Sequence, residues 1–286
     1  MGGFSVNTNV GAMAALQSLT QTNKDLATTQ SRINTGLTVA STKDDSATYA
    51  IAQNLRADLG GLKSVTTSLN RAKSVVDVAT AGAEQISDVV NQMKSKAYQA
   101  ADAGIDSNSR DAINKDFTAL RDQITTIVNS SEFNGTNLLK ASGGDVSALQ
   151  SLKDGDTSTA TTWDPDSLTV ANMDFDLGHG VITVAASGQV DTAANATAMI
   201  DTLTTTQANL NTALGKLGAA SRKIDGQITF TSKLSDTIES GIGNLVDADL
   251  AKESARLQAL QVKQQLGVQA LSIANQAPQT ITSLFK

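Results

Sequence analysis

The chain has no cysteine, one histidine, one tryptophan, two prolines and two tyrosines in 286 residues, and aromatics make up only 3%. Without cysteine there is no disulfide, thiol nucleophile or thiolate metal site, and a lone His179 cannot build a multi-histidine cluster. The sequence holds no HExxH helix, no nucleophile paired with a base and no phosphate-cradling glycine loop. Neither catalysis nor a cofactor is therefore expected. A net charge of -6 and a pI near 4.8 give no electrostatic footprint for nucleic acid or an anionic membrane. The start lacks a basic n-region and an unbroken apolar run, and Val6 stands where a myristoylation signal needs Ser or Thr. Export by the general secretory route is not expected.

With so few aromatics, burial falls to Ala, Leu, Ile and Val on long regular elements, and long helices fit this best. Charge is absent from both ends: Met1 to Asn23 carries no charged side chain, nor does the run from Gln264 to Phe285. Neither run is a membrane span, because Asn7, Asn9, Gln17 and Gln21 interrupt the first and Gln264, Gln265, Gln269 and Gln276 the second. Segments polar without charge can pack densely against other protein with their amides paired inside the contact. Such ends describe a subunit that is incomplete until it meets its neighbours.

Heptads organise the rest. From Leu55 every seventh residue is Leu62, Leu69, Val76, Ala83, Val90 and Ala97, with Val65, Ala72, Ala79, Ile86, Met93 and Ala100 interleaved and Asp58 the one break. A second series reads Ala196, Leu203, Leu210, Leu217, Ile224, Thr231, Ile238 and Leu245, widened by Ile200, Leu214, Ile228 and Ile242. Ile113, Phe117, Leu120, Ile124 and Ile127 predict a shorter helix that folds back on the first. The predicted fold is mainly α, a long antiparallel coiled-coil rod formed by both chain halves, with a small hairpin-containing central segment.

The ends keep the period at lower apolar density, through Leu19, Leu26 and Ile33 and through Leu250, Leu257, Gln264 and Leu271. Lacking a core of their own, these two helices are expected to be disordered in the free monomer. Their apolar members Leu16, Leu19, Leu26, Ile33, Leu257, Leu260, Leu271, Ile281 and Phe285 form the candidate polymer interface. Three regions follow: residues 1–43 with 246–286 as paired terminal helices, 44–140 with 194–245 as a long bundle, and 141–193 as an outward-facing segment. In that segment the alternation of Leu168, Val170, Phe175 and Leu177, then Val181, Ile182 and Val184 after Gly178-His179-Gly180, predicts a β-hairpin at the far tip of the rod.

Several blocks resemble bacterial flagellin. Asn7-Thr8-Asn9 resembles the family's opening, and Ser31-Arg32-Ile33-Asn34-Thr35-Gly36-Leu37 with Ser41-Thr42-Lys43-Asp44-Asp45-Ser46-Ala47 its most recognisable N-terminal block. Glu132-Phe133-Asn134-Gly135-Thr136-Asn137-Leu138-Leu139 is a middle landmark, and the run from Val246-Asp247-Ala248-Asp249-Leu250 through Ala274-Asn275-Gln276-Ala277-Pro278-Gln279 is similar to the family's ending. The resemblance implies a self-assembling subunit whose terminal helices pair in the inner tube of an extracellular filament used for swimming. It further implies export through a type III apparatus without a cleaved signal peptide, a chaperone on the C-terminal helix, a cap protein, hook-associated proteins and sister flagellins as partners. The chain departs from flagellins sensed by the Toll-like receptor at Gln92-Met93-Lys94-Ser95-Lys96-Ala97.

Two alternatives stay open. A hook-filament junction protein shares similar termini, and a secreted coiled-coil adhesin or effector would share the helices without needing charge-free ends. His179 between two glycines reads as a turn residue, and Asp44, Asp45, Asp247 and Asp249 read as helix-capping carboxylates rather than acid/base pairs. Gly60, Gly61 and Gly82 inside the first seam mark either close packing or a bendable site.

Overall fold

The computed structural model describes residues 8–154 and 165–284. Among these, five helices and one two-stranded sheet follow in the order α1 (Val10–Thr35), α2 (Ser46–Ala101), α3 (Ser107–Ser130), β1 (Val146–Asp154), β2 (Pro165–Val170), α4 (Ala193–Val246) and α5 (Leu250–Leu284). The fold is mainly α, as the heptads predict. The chain divides into two compact units, 1–57 with 237–286 and 58–236, and the division falls inside α2 and inside α4.

In the larger unit the first heptad series packs as counted. Every seam position of α2 from Leu62 to Ala100 is buried, while Asp58 is exposed. From α4, Ala196, Leu203, Leu210, Leu217 and Ile224 join the same core, and from α3, Phe117, Ile124 and Val128 do. The helices run antiparallel. Lys73 is paired with Asp225, and Gln207 Nε2 donates to Asn91 Oδ1 at 2.8 Å, so numbers rise along α2 as they fall along α4. Lys96 with Asp116 (2.6 Å), together with Arg110, which donates to the carbonyl of Ala100, folds α3 back on α2. Asp106 starts α3, accepting from the Ser109 backbone N–H at 3.0 Å and from its hydroxyl at 2.7 Å.

The hairpin exists, but its partners differ from those predicted. β1 pairs antiparallel with β2, Val146 opposite Val170 and Ala148 opposite Leu168. The stretch around Gly178-His179-Gly180 is instead a local turn, in which Gly178 adopts φ 79° and its N–H donates to Ile182 O at 2.9 Å. The central segment also contributes to the core. Phe175, Ile182, Val184 and Val190 are fully buried in the helical core, Leu149 N donates to Ser68 Oγ, and Gln227 Nε2 donates to Gln150 O. The sheet's apolar face needs cover, and α2 and α4 supply it on the flank around Ser68 and Gln227.

One further expectation changes. Leu245, counted as a seam residue of α4, is exposed, because Ile242 and Val246 take the buried positions beside Val39 and Ala52 in a small separate core. The terminal segments are helices paired with each other within one chain. The pairing gives each the packed face it lacks alone.

Candidate polymerisation surface

The smaller unit is built from its corners inward. Asn9 caps α1: its Oδ1 accepts from Ala12 N at 3.0 Å, while its Nδ2 donates across to Ala274 O on α5 at 2.7 Å. At the other end of α1, Gly36 adopts φ 70° and its N–H closes on Arg32 O, the left-handed stop that lets the chain leave the helix. The chain then lies against the α4–α5 junction. Leu37 pairs with Asp247 in an antiparallel bridge, Thr38 N donates to Val246 O at 2.6 Å, and Ala248 N donates to Gly36 O at 2.8 Å. Asp249 starts α5 by accepting from the N–H groups of Ala251 and Lys252.

Carboxylates here are structural. Asp45 Oδ1 accepts from Ala47 N and Thr48 N at the start of α2, and Asp44 Oδ2 gathers Ala40 N, Ser41 N and the Ser41 hydroxyl. The hydroxyl of Ser41 holds Asp44 below the usual carboxylate range, and that of Thr48 does the same for Asp45. Asp247 is not a cap: its N–H closes on Gly243 O at the end of α4 and its carbonyl accepts from Thr38.

Between these corners α1 and α5 share a seam. Thr22, Thr29, Leu260 and Glu253 are buried in it, and Ala12, Ala15, Leu19, Leu26 and Ile33 face Leu257, Gln264, Gly267, Leu271 and Ala274 as half-buried residues. Gln264 Nε2 donates to Asn23 Oδ1 at 2.8 Å, and Arg32 reaches Glu253 at 3.2 Å. Of the nine residues predicted for the polymer interface, Leu19, Leu26, Ile33, Leu257, Leu260 and Leu271 therefore lie on the seam inside the chain. Leu16 alone among the described ones points to solvent; the side chains of Ile281 and Phe285 lie outside the described residues.

The face left uncovered was not selected from the sequence. Val10 (74% exposed) and Met13 stand with Leu16 on α1, and Val262, Leu266 and Ile273 (69% exposed) stand on α5. Isolated exposed apolar side chains are ordinary, whereas six on one helix pair whose chain ends carry no charge are not. The signal was available as a second apolar series beside the first: Val10, Met13 and Leu16 recur every three residues, and Val262, Leu266 and Ile273 at four and seven.

Among the described residues no helix is long and apolar enough to cross a membrane, and no group of His, Asp or Glu is placed to hold a metal ion. His179 is exposed on its turn, with Nδ1 4.0 Å from Asp174.

Comparison with known proteins agrees with this architecture. Residues 6–143 match the family described as the bacterial flagellin N-terminal helical region, and 189–285 match the bacterial flagellin C-terminal helical region. Flagellin FljM of Caulobacter vibrioides is 43% identical over 282 residues, which covers 99% of this chain and 98% of that protein. A flagellin of Brucella melitensis is 37% identical over 285 residues, 99% of each. The fold is shared with the solved structure of a putative flagellar hook-associated protein from Vibrio parahaemolyticus, at a TM-score of 0.53 and 15% identity over 71% of this chain and 100% of that one. Matches at both ends and full-length relatives favour neither a junction protein nor an adhesin: the chain belongs to the bacterial flagellin family and is a structural subunit of the extracellular flagellar filament.

Proposed function

We propose that the subunit joins its filament through the outer face of the α1–α5 pair, with Val10, Met13, Leu16, Val262, Leu266 and Ile273 as the contact residues and the seam leucines holding the two helices together behind them. One observation carries this reading: these exposed apolar side chains cluster on a helix pair whose ends are free of charge. Ile281 and Phe285 remain contact residues of the polymer in this reading. Burial of such a face is favourable at about 25 cal/mol per Å² of apolar area, and repetition along a helical polymer multiplies it.

In this reading residues 1–43 and 246–286 form the inner layer of the filament, 44–140 with 194–245 the surrounding bundle, and 141–193 the outward side. The uncovered face of α5 is also what an export chaperone holds before secretion, and the cap and hook-associated proteins meet the same layer at the filament's ends. Export proceeds without a cleaved signal peptide, and the subunit performs no catalysis.

Seeded growth tests it. Met13→Asp and Leu266→Asp are expected to abolish elongation from filament fragments while leaving helix content unchanged, whereas Ser147→Asp on the exposed side of β1 leaves elongation intact. Filament growth by Leu266→Asp at the parental rate would overturn the assignment of this face.

A further inference from the structure

The α1–α5 seam has a property that its apolar residues cannot resolve. Its positions on α1 are 12, 15, 19, 22, 26, 29 and 33, and on α5 they are 253, 257, 260, 264, 267, 271 and 274, both spaced alternately three and four apart. Sliding one helix past the other by a heptad returns seam positions opposite seam positions. The residues concerned are small or interchangeable: Ala12, Ala15, Thr22, Thr29 and Gly267 among leucines. A slipped pair would keep the same residues on the seam and displace the outer residues of one helix along the other by about 10 Å.

The corner where Leu37 pairs with Asp247 ties the two helices at one end, and within the seam itself one charged pair works against the slips. Glu253 occupies a seam position with its side chain 9% exposed, and Arg32 flanks the seam opposite it, Nη1 to Oε1 at 3.2 Å. Slip in one direction carries Glu253 beside Asp25, a like charge, and sets Arg32 beyond the start of α5. Slip in the other carries Glu253 past the end of α1 and leaves Arg32 beside Leu260. Either slip separates the pair, setting Glu253 beside a like charge in one direction and Arg32 against leucine in the other, and both are unfavourable.

The pair is a poor stabiliser in its native position. Only one limb of the guanidinium–carboxylate fork is closed: Arg32 Nε and Glu253 Oε2 are buried with no hydrogen-bond partner among the described residues. Desolvation incompletely repaid is weak ground for a stability role, and a charge inside a heptad seam is a recurrent means of fixing alignment. The geometry points to Arg32 and Glu253 as the side chains inside the seam that select its register by charge, acting with the Leu37–Asp247 corner to hold the outer residues of the two helices in one axial alignment. The consequence for assembly rests on the outer-face reading above; the register itself does not.

Absence of cysteine in the parent chain makes the test clean. A Cβ on Gly267 would lie 3.8 Å from Leu19 Cβ, which is about the Cβ separation of a disulfide. Leu19→Cys with Gly267→Cys therefore reports the native register. Ala12→Cys with Gly267→Cys, and Leu19→Cys with Ala274→Cys, report the two heptad slips. Each pair is oxidised in the full chain, in filaments and in the soluble subunit, and cross-link yields are compared. In the parental background the native pair dominates. In Arg32→Leu/Glu253→Leu, which keeps the seam packed without charge, the ratio of native to slipped cross-link is expected to fall on the order of tenfold, whereas Arg32→Lys, which keeps the charge, retains it. An unchanged ratio in the double-leucine variant overturns the proposal, as does an equal loss in Arg32→Lys. The readout is alignment rather than growth, so it stands or falls separately from Leu266→Asp.

Discussion

Ser131 sits where a side chain on Gly82 would begin: a Cβ built there collides with its hydroxyl oxygen and comes within 2.9 Å of Leu139 Cδ1. That hydroxyl is itself committed, donating to Ile127 O at 2.7 Å, so it cannot simply turn away. Gly82 is thus a close-packing glycine between α2 and the end of α3. Gly61 is another, its Cβ direction filled by Leu152 of β1 at 2.6 Å, while Gly60 has nothing within 4 Å.

The three glycines should separate on mutation. Gly82→Ala is expected to destabilise the soluble subunit by about 1–3 kcal/mol through overpacking, and Gly60→Ala to stabilise it by about 0.5–1 kcal/mol through helix propensity. Thermal unfolding followed by circular dichroism measures both. Equal stability of the two variants would contradict the packing assigned to Gly82.

Charges placed on the seam and on the outer face should fail differently. Leu257→Asp puts a carboxylate on a half-buried seam position and is expected to reduce helix content at the chain ends before any question of assembly arises. Leu266→Asp leaves helix content intact and blocks growth alone. Circular dichroism alongside seeded elongation distinguishes them, and identical helix loss in both variants would mean that the two faces are not distinct.

Removal of residues 264–286 is expected to abolish elongation while residues 58–236 stay folded, since that unit has a core of its own. Protease resistance of the truncated chain, with seeded growth measured in parallel, decides this. Collapse of the whole chain would show that the core depends on the tail.

Phe175 should behave as a core residue although it lies in the segment that looks expendable. It is fully buried, and its backbone N–H donates to Leu139 O at 2.6 Å. Phe175→Ala is expected to cost about 3–5 kcal/mol, visible in denaturant titration. A cost near zero would return the segment to the status of a tolerant loop.

Acid lability follows from the helix caps. The Ser109 hydroxyl holds Asp106 below its ordinary value of 3.8, and Asp45 is lowered in the same way by Thr48. A carboxylate depressed in the folded state contributes stability that is fully present above its unfolded value and is lost as pH falls through the folded value. Stability should therefore decline below roughly pH 4, and Asp106→Asn, which caps without titrating, should lessen that decline. Melting temperatures from pH 2 to 7 test it; parallel curves for the two proteins would argue against Asp106.

The helices were legible because a repeating seam is a local, periodic signal. Leu62 to Ala100 is buried position by position as counted, and only near Leu245, where Ile242 and Val246 turn toward a different core, does the count drift. Strand pairing was not legible. Val146, Ala148, Leu168 and Val170 form the inner face of the sheet, yet nothing local in either strand names the other, and Gly178-His179-Gly180 offers a more obvious turn. At the candidate surface the period places most of the predicted residues on the seam between α1 and α5. Heptad counting finds the positions that meet a partner helix, and here the first partner lies within the same chain.

The hydrogen bond from Asn9 to Ala274 joins residues 265 positions apart. Closing so long a span is entropically costly and slow relative to local helix formation. A chain emerging from synthesis or from an export channel, in either direction, therefore has one terminal helix waiting for the other. An incomplete chain keeps an open seam. With the assembly face proposed above, truncated products are expected to stay out of the polymer because their terminal helices cannot pair.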